Sequence, residues 1–158
     1  VGGPAEYLVK VRTWAELVGA VTAACRLGLP YRVIGRGSNL VVSDRGLAGL
    51  VVVNQTDGLS LEETPEGAVA RALSGTALPR LARVTAGRGY TGLEWAVQVP
   101  GTVGGAVVNN AGAFGGSTAD TLEGVELFHP RYGYAEWPAA KLGLGYRTSL
   151  FRRGEADG

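Results

Sequence analysis

Apolar positions along the chain alternate between two periods. In TWAELVGAVTAACRLG, Trp14, Leu17, Val18, Val21 and Cys25 recur at intervals of three and four, which places them on one face of a helix. Thr13 precedes the run as N-cap and Glu16 stands three places on, the capping-box spacing in which two orphan amides are satisfied reciprocally. Gly28 and Pro30 end it. The alternating EYLVKVR before this helix, YRVI after it and LVVV at 50–53 read as strands, so residues 1–54 are expected to form a small β-α-β lobe. Cys25 lies beside Ala23 and Ala24 in the helical pattern and is expected to be a buried, inert thiol.

A second lobe is expected over residues 55–158. GAVARALSG reads as a strand, and TALPRLARVTAGRG as a helix over 77–86, capped by Thr76 and with Pro79 early enough to be tolerated. LEGVELFHPRYGYAEWP reads as two strands around a turn, with Val125 and Leu127 on one face, Glu126 and Phe128 on the other, and His129 exposed at the turn. Trp95 and Trp137 are read as gap-fillers, and Glu94 as either a turn contact or a ligand contact. The class is α+β.

Composition narrows the chemistry. The 158 residues carry 15 basic and 14 acidic side chains, a balance that supplies no bulk attraction to nucleic acid or to an anionic membrane. With one cysteine and one histidine, neither a disulfide framework nor a His- or Cys-cluster metal site can be built. No apolar run reaches 18 residues and no secretory signal is present in the stretch, so membrane insertion is not expected and a cytoplasmic location is. Glycine is the anomaly: 26 residues, more than twice its usual share and without a collagen period, which places the surplus in loops.

Two loops concentrate it. In VIGRGSNLVV a strand runs into Gly35, Arg36, Gly37, Ser38 and Asn39; such a turn exposes consecutive backbone N–H groups to an anion, and it serves equally as a tight structural turn. It is not a Walker A loop, since no Lys-Ser/Thr follows, and it lacks the G-x-G-x-x-G spacing. In GLEWAVQVPGTVGGAVVNNAGAFGG, Pro100 fixes the entry, Gly101 and Thr102 can turn and cap, and Gly104 and Gly105 let a ligand or another backbone approach. Asn109 and Asn110 carry amides suited to ring or ribose edges. Two loops so poor in side chains fit one extended ligand held between lobes, and also fit close helix packing.

Four stretches in chain order resemble the UDP-N-acetylenolpyruvoylglucosamine reductases (UDP-N-acetylmuramate dehydrogenases), flavoenzymes of bacterial cell-wall precursor synthesis. They are VGGPAEYLV at 1–9, GRGSNLVVSDRGLAGLVV at 35–52, GLEWAVQVPGTVGGAVVNNAGAFG at 92–115 and LGYRTSLF at 144–151. The resemblance implies an α+β, two-lobed FAD-binding domain of the vanillyl-alcohol-oxidase (PCMH) type with the cofactor between the lobes. It places the pyrophosphate turn on Gly35, Arg36, Gly37, Ser38 and Asn39, with Leu40 beyond. The second flavin-contacting loop falls on Pro100, Gly101, Thr102, Gly104, Gly105 and Ala106, then on Asn110, Gly112 and Ala113.

By the same resemblance, FAD is reduced by the co-substrate NADPH and in turn reduces the enolpyruvyl group of a UDP-sugar. The catalytic arginine of the Tyr-Arg-x-Ser segment falls on Arg147. A guanidinium stays charged at any working pH and grips two oxygens in one plane, so it suits the carboxylate beside the bond being reduced. Family members carry a further domain with a serine proton donor and a late glutamate; no Gly-x-Ser-Phe-Phe-like segment occurs here, and Ser149 belongs to the arginine motif. The 158-residue piece alone is therefore expected to bind FAD with little or no turnover. Two alternatives share these features: another FAD-linked oxidoreductase acting on an alcohol or hydroxy acid, and a non-catalytic nucleotide-binding fragment.

Overall fold

The first segment closes into a parallel sheet because its alternating strands each have one apolar face to bury. The computed structural model describes residues 2–155. In it, β1 (Ala5–Val11), α1 (Trp14–Arg26), β2 (Tyr31–Ile34) and β3 (Leu47–Asn54) follow in order, and β3 inserts between the other two strands. Both neighbours run parallel to it, with Val9 and Val33 each opposite Val52. α1 lies on this sheet: Leu17 and Val21 pack with Val11 and the wholly buried Val52.

The capping box of α1 is present. The Glu16 amide donates to Thr13 Oγ1 at 3.2 Å, and the Glu16 carboxylate accepts from the amides of Arg12 at 2.7 Å and Thr13 at 3.1 Å. Those donors, Arg12 first, hold the Glu16 carboxyl below its ordinary pKa. Cys25 departs from expectation: it is exposed, and Ala24 takes the buried place, because the stripe continues from Val21 by three residues, not four.

The rest of the chain is assembled from hairpins and short helices. β4 (Leu59–Thr64) and β5 (Gly67–Ala72) pair antiparallel; β4, with Glu62 and Glu63 in its second half, shows no clear alternation in the sequence. α2 (Leu78–Gly87) follows one residue later than expected. Its N-cap is Ala77, without a side-chain cap, and not Thr76. Thr76 is wholly buried and committed elsewhere: its hydroxyl donates to the Gly58 carbonyl at 3.0 Å and lies 3.1 Å from the Gly58 amide. A 3-10 turn over Glu94–Ala96 leads to α3 (Val103–Asn109), and two-residue strands β6 (Gly112–Ala113) and β7 (Gly116–Ser117) pair after it.

β8 (Gly124–His129) and β9 (Gly133–Pro138) form the expected hairpin, and α4 (Leu150–Arg153) ends the described chain. His129 is half-buried, not exposed: its Nδ1 accepts from the Arg131 amide and its ring stacks on Tyr132. The core of this region is Leu78, Leu81, Ala82, Trp95, Ala96 and Ala106. Trp95 thus fills core space, while Trp137 stacks on Phe151.

A polar seam joins the end of β3 to the segment after β5. Asn54 donates to Ser74 Oγ at 2.8 Å and accepts from the Thr56 amide at 3.0 Å, and Thr56 Oγ1 accepts from the Gly75 amide at 3.2 Å. Asn54 and Thr56 are buried, so these paired groups fix the seam instead of weakening it. At Gly75 a Cβ would fall 2.4 Å from the Thr56 carbonyl oxygen, so only glycine allows the contact.

Candidate functional site

The two glycine loops come from opposite sides of this seam and touch. A Cβ on Gly35, just past β2, would sit 2.5 Å from Thr102 Oγ1, and one on Gly101 would sit 3.3 Å from Ser38 Oγ. Around their junction lies a cleft of about 2330 Å³, lined by all of residues 35–40, all of residues 100–106 and Arg147. Asn110, Gly112 and Ala113 do not line it; they stand behind the cleft wall, where their contacts are with protein.

The loops do different work. In the first, the amides of Gly37, Ser38 and Asn39 have no partner among the described residues, while the Leu40 amide bonds the Gly37 carbonyl at 3.2 Å. Gly37 adopts φ +72°, a left-handed conformation that side chains disfavour, and a Cβ there would meet nothing within 4 Å. Three free N–H groups on an exposed turn, with the Ser38 and Asn39 side chains beside them, form a donor set for an anion. In the second loop the amides of Gly101 and Thr102 have no partner among the described residues either, but those of the helix that follows are taken. At the start of α3 the Val103 amide bonds the Thr76 carbonyl at 2.9 Å, Gly104 bonds the Ser74 carbonyl at 2.8 Å, and Gly105 bonds Thr102 Oγ1 at 3.3 Å. The first three amides of the helix itself are thus satisfied, so its glycines contribute shape and not donors.

Its glycines divide accordingly. A Cβ on Gly104 would fall 2.9 Å from Ser74 Cβ, one on Gly112 2.6 Å from the Gly116 carbonyl, and one on Gly116 2.5 Å from the Trp95 ring. These three permit protein to approach protein. Gly105 is exposed, and a Cβ there would meet only Thr102 Oγ1 at 3.4 Å before entering the cleft. Of the cluster at 104–116, Gly105 is the one that leaves cleft space empty.

α3 also carries the arginine turn at its far end. The Gly145 and Thr148 backbones exchange hydrogen bonds, putting Tyr146 and Arg147 at the tip, with Arg147 at φ 54°. Such backbone strain at a non-glycine residue persists only when neighbours enforce it. Here they are identifiable: Asn110 Nδ2 donates to the Gly145 carbonyl at 2.8 Å while its Oδ1 accepts from the Ala119 amide at 2.9 Å, and wholly buried Ser149 donates to the Val108 carbonyl at 2.6 Å. Both polar ends of the Asn110 amide are thus committed to protein, not to a ring or ribose. Arg152 bonds Asn109 Oδ1, tying α4 to the same helix end. Arg147 is exposed, lies over the Tyr146 ring at 5.9 Å and donates from Nη2 to the Gly112 carbonyl at 2.7 Å. Glu94 makes a turn contact, accepting from the Gly92 amide at 2.7 Å. Sequence reasoning passed over Ser74 and Asn54, which shape the cleft floor; the small-residue run Ser74, Gly75, Thr76 was the available signal.

A sequence profile described as the FAD binding domain matches residues 5–132. The full chain is 40% identical to the UDP-N-acetylenolpyruvoylglucosamine reductase of Chloroflexus aggregans, covering 53% of that protein, and 97% of it is 45% identical to the reductase of Gloeobacter violaceus, covering 51%. It spans about half the length of the curated relatives it matches. Among solved structures, 98% of the chain superposes on 53% of the UDP-N-acetylenolpyruvylglucosamine reductase of Thermus caldophilus with a TM-score of 0.75 and 40% identity. Aclacinomycin oxidoreductase shares the fold alone, at a TM-score of 0.59 and 21% identity over 85% of this chain and 29% of its own. The α+β architecture anticipated from the resemblance stands on these matches.

Proposed function

The chain belongs to the FAD-binding domain family, and from that premise we propose that it is the flavin-holding part of a UDP-N-acetylenolpyruvoylglucosamine reductase, working with NADPH and a UDP-sugar enolpyruvyl ether. The carrying observation is the junction itself: a loop with three free amides and a loop with an unfilled glycine position meet on one cleft, and Arg147 faces the same cleft. These features suit FAD. The free amides of residues 37–39 would hold the pyrophosphate, and the space left at Gly105 would admit the flat ring system. FAD, when bound, supplies hydride chemistry that no side chain can perform.

Arg147 would bind the substrate carboxylate. Reduction of the neighbouring double bond draws negative charge onto that carboxylate and its adjoining carbon, and a guanidinium already fixed by the Gly112 carbonyl meets it without reorganising. The bond to Gly112 uses one of five N–H donors, so a bidentate face remains. Ser149 does not serve as proton donor in this reading, because its hydroxyl is buried and donates to Val108. The test has two parts. The purified chain should show flavin absorption near about 375 and 450 nm. The complete gene product should oxidise NADPH only in the presence of the UDP-enolpyruvyl sugar; reduction by a hydroxy acid instead would reject the substrate assignment.

A further inference from the structure

Among the described residues, three that are not glycine hold a left-handed backbone: Asn110 at φ 41°, Phe114 at φ 52° and Arg147 at φ 54°. All three meet at one place. Tyr146 and Arg147 form the tip of a turn closed by the Gly145 and Thr148 backbones. Phe114 and Gly115 form the tip of the β6–β7 hairpin, and the Gly112 carbonyl of that hairpin accepts from Arg147 Nη2. Asn110 is buried outside the cleft lining, with its amide committed at both ends. Nδ2 donates to the Gly145 carbonyl, which also accepts from the Thr148 amide and so has both lone pairs engaged. Oδ1 accepts from the Ala119 amide, in the 3-10 turn that follows β7.

These contacts close a circuit. From the Arg147 backbone it runs through Gly145 and Asn110 to Ala119, back along β7 and β6 to Gly112, and returns through Nη2 to the same arginine. Both ends of a long side chain are thereby referred to one body, so the guanidinium is aimed before any ligand arrives. A left-handed helix end needs only glycine. The asparagine here does more, since its amide holds the arginine turn against the base of the hairpin. Backbone strain gathered at one point occurs where a site must keep its geometry. We propose that Asn110 is a positioning residue: it sets the direction from which Arg147 meets the substrate carboxylate, and has no contact with flavin. The proposal rests on the reading of Arg147 given above, and it moves Asn110 from cofactor binding, where the family resemblance put it, to substrate reduction.

The test uses the complete gene product with flavin bound, under anaerobic conditions, and follows the two half-reactions separately. Asn110→Gly keeps the left-handed backbone and deletes the amide. FAD affinity, read by fluorescence titration of the apo form, and flavin reduction by NADPH should stay within about twofold of wild type. Reoxidation of the reduced flavin by the UDP-enolpyruvyl sugar should fall about 100-fold, as loss of alignment implies. Asn110→Asp keeps the acceptor for Ala119 and tolerates the same backbone, losing only the donor to Gly145, and should show the same selective fall. The deciding comparison is a double-mutant cycle: with Arg147→Ala already in place, Asn110→Gly should change reoxidation by less than about twofold. An equal loss in both backgrounds would mark a general structural role and overturn the proposal, as would unchanged reoxidation in Asn110→Gly or a weakened FAD affinity. Wild-type protein that takes up no flavin, or whose reduced flavin ignores the sugar, would instead overturn the functional reading beneath it.

Discussion

α1 and α3 each begin at a threonine cap, and there the likeness ends. α1 has 13 residues, a complete capping box and a stripe of apolar side chains that buries Leu17, Val21 and Ala24. Everything that makes it a helix lies within its own sequence. α3 has seven residues, two of them glycine and three of them valine, with no acidic group in its first turn and a left-handed Asn110 at its end. Glycine and β-branched residues are poor helix formers and so short a segment is unstable alone, so α3 exists because its surroundings hold it. Ser74 and Thr76 take its first amides, and Ser149 takes a carbonyl near its end. The helix with self-sufficient signals supports the sheet; the helix without them carries the candidate chemistry.

The strongest way to break this contrast is to fill the approach between Gly104 and Ser74. Gly104→Val forces a branched side chain into a 2.9 Å contact. It is expected to cost about 3 kcal/mol as an overpacked site, to lower the melting temperature by roughly 10 °C, and to lose flavin as a secondary result. Gly105→Val, one residue on, should separate the two properties. Its side chain meets no backbone, so the apo melting temperature should stay within about 2 °C, while FAD affinity falls at least about tenfold in the same fluorescence titration. Equal effects from the two substitutions would mean that the division of glycines into protein-facing and cleft-facing is wrong.

The smallest expected effect is on the other helix. Glu16 is held below its ordinary pKa by the Arg12 and Thr13 amides, so its charged form favours the folded state above the usual glutamate range. That contribution disappears as the pH falls through the lowered value, when the carboxylate must take up a proton. In Glu16→Gln the acid limb of a stability-against-pH curve should be shallower. Because α3 has no acidic residue in its first turn, FAD affinity should not share this dependence.

The same contrast explains what could be read from the chain. The elements β1, α1, β2, β3 and the β8–β9 hairpin were legible because alternation, caps and turn residues are local signals. α3 was not, since its residues 103–109 read as loop until Ser74 and Ser149 are brought to Gly104 and Val108 from 30 and 41 positions away in the sequence. The Thr76 cap failed for a related reason: its hydroxyl satisfies Gly58 across the seam, a partner 18 positions back. At the site, the motif at residues 35–40 and the Arg147 segment were recognisable, but the purpose of each glycine was not. Gly104 and Gly105 are adjacent and chemically identical, and only their neighbours show that one admits Ser74 and the other leaves the cleft open.

One further consequence lies in the geometry of α3. Its first turn borders the cleft at Gly105, and its last residues anchor the turn that presents Arg147. Seven helical residues span about 10 Å, and a hydrogen-bonded helix cannot stretch to suit its load. The segment therefore acts as a ruler, setting how far the guanidinium stands from whatever rests against the glycine end. Lengthening it by one residue would swing the arginine turn around the helix axis by about 100°, so this spacing should tolerate substitution far better than insertion.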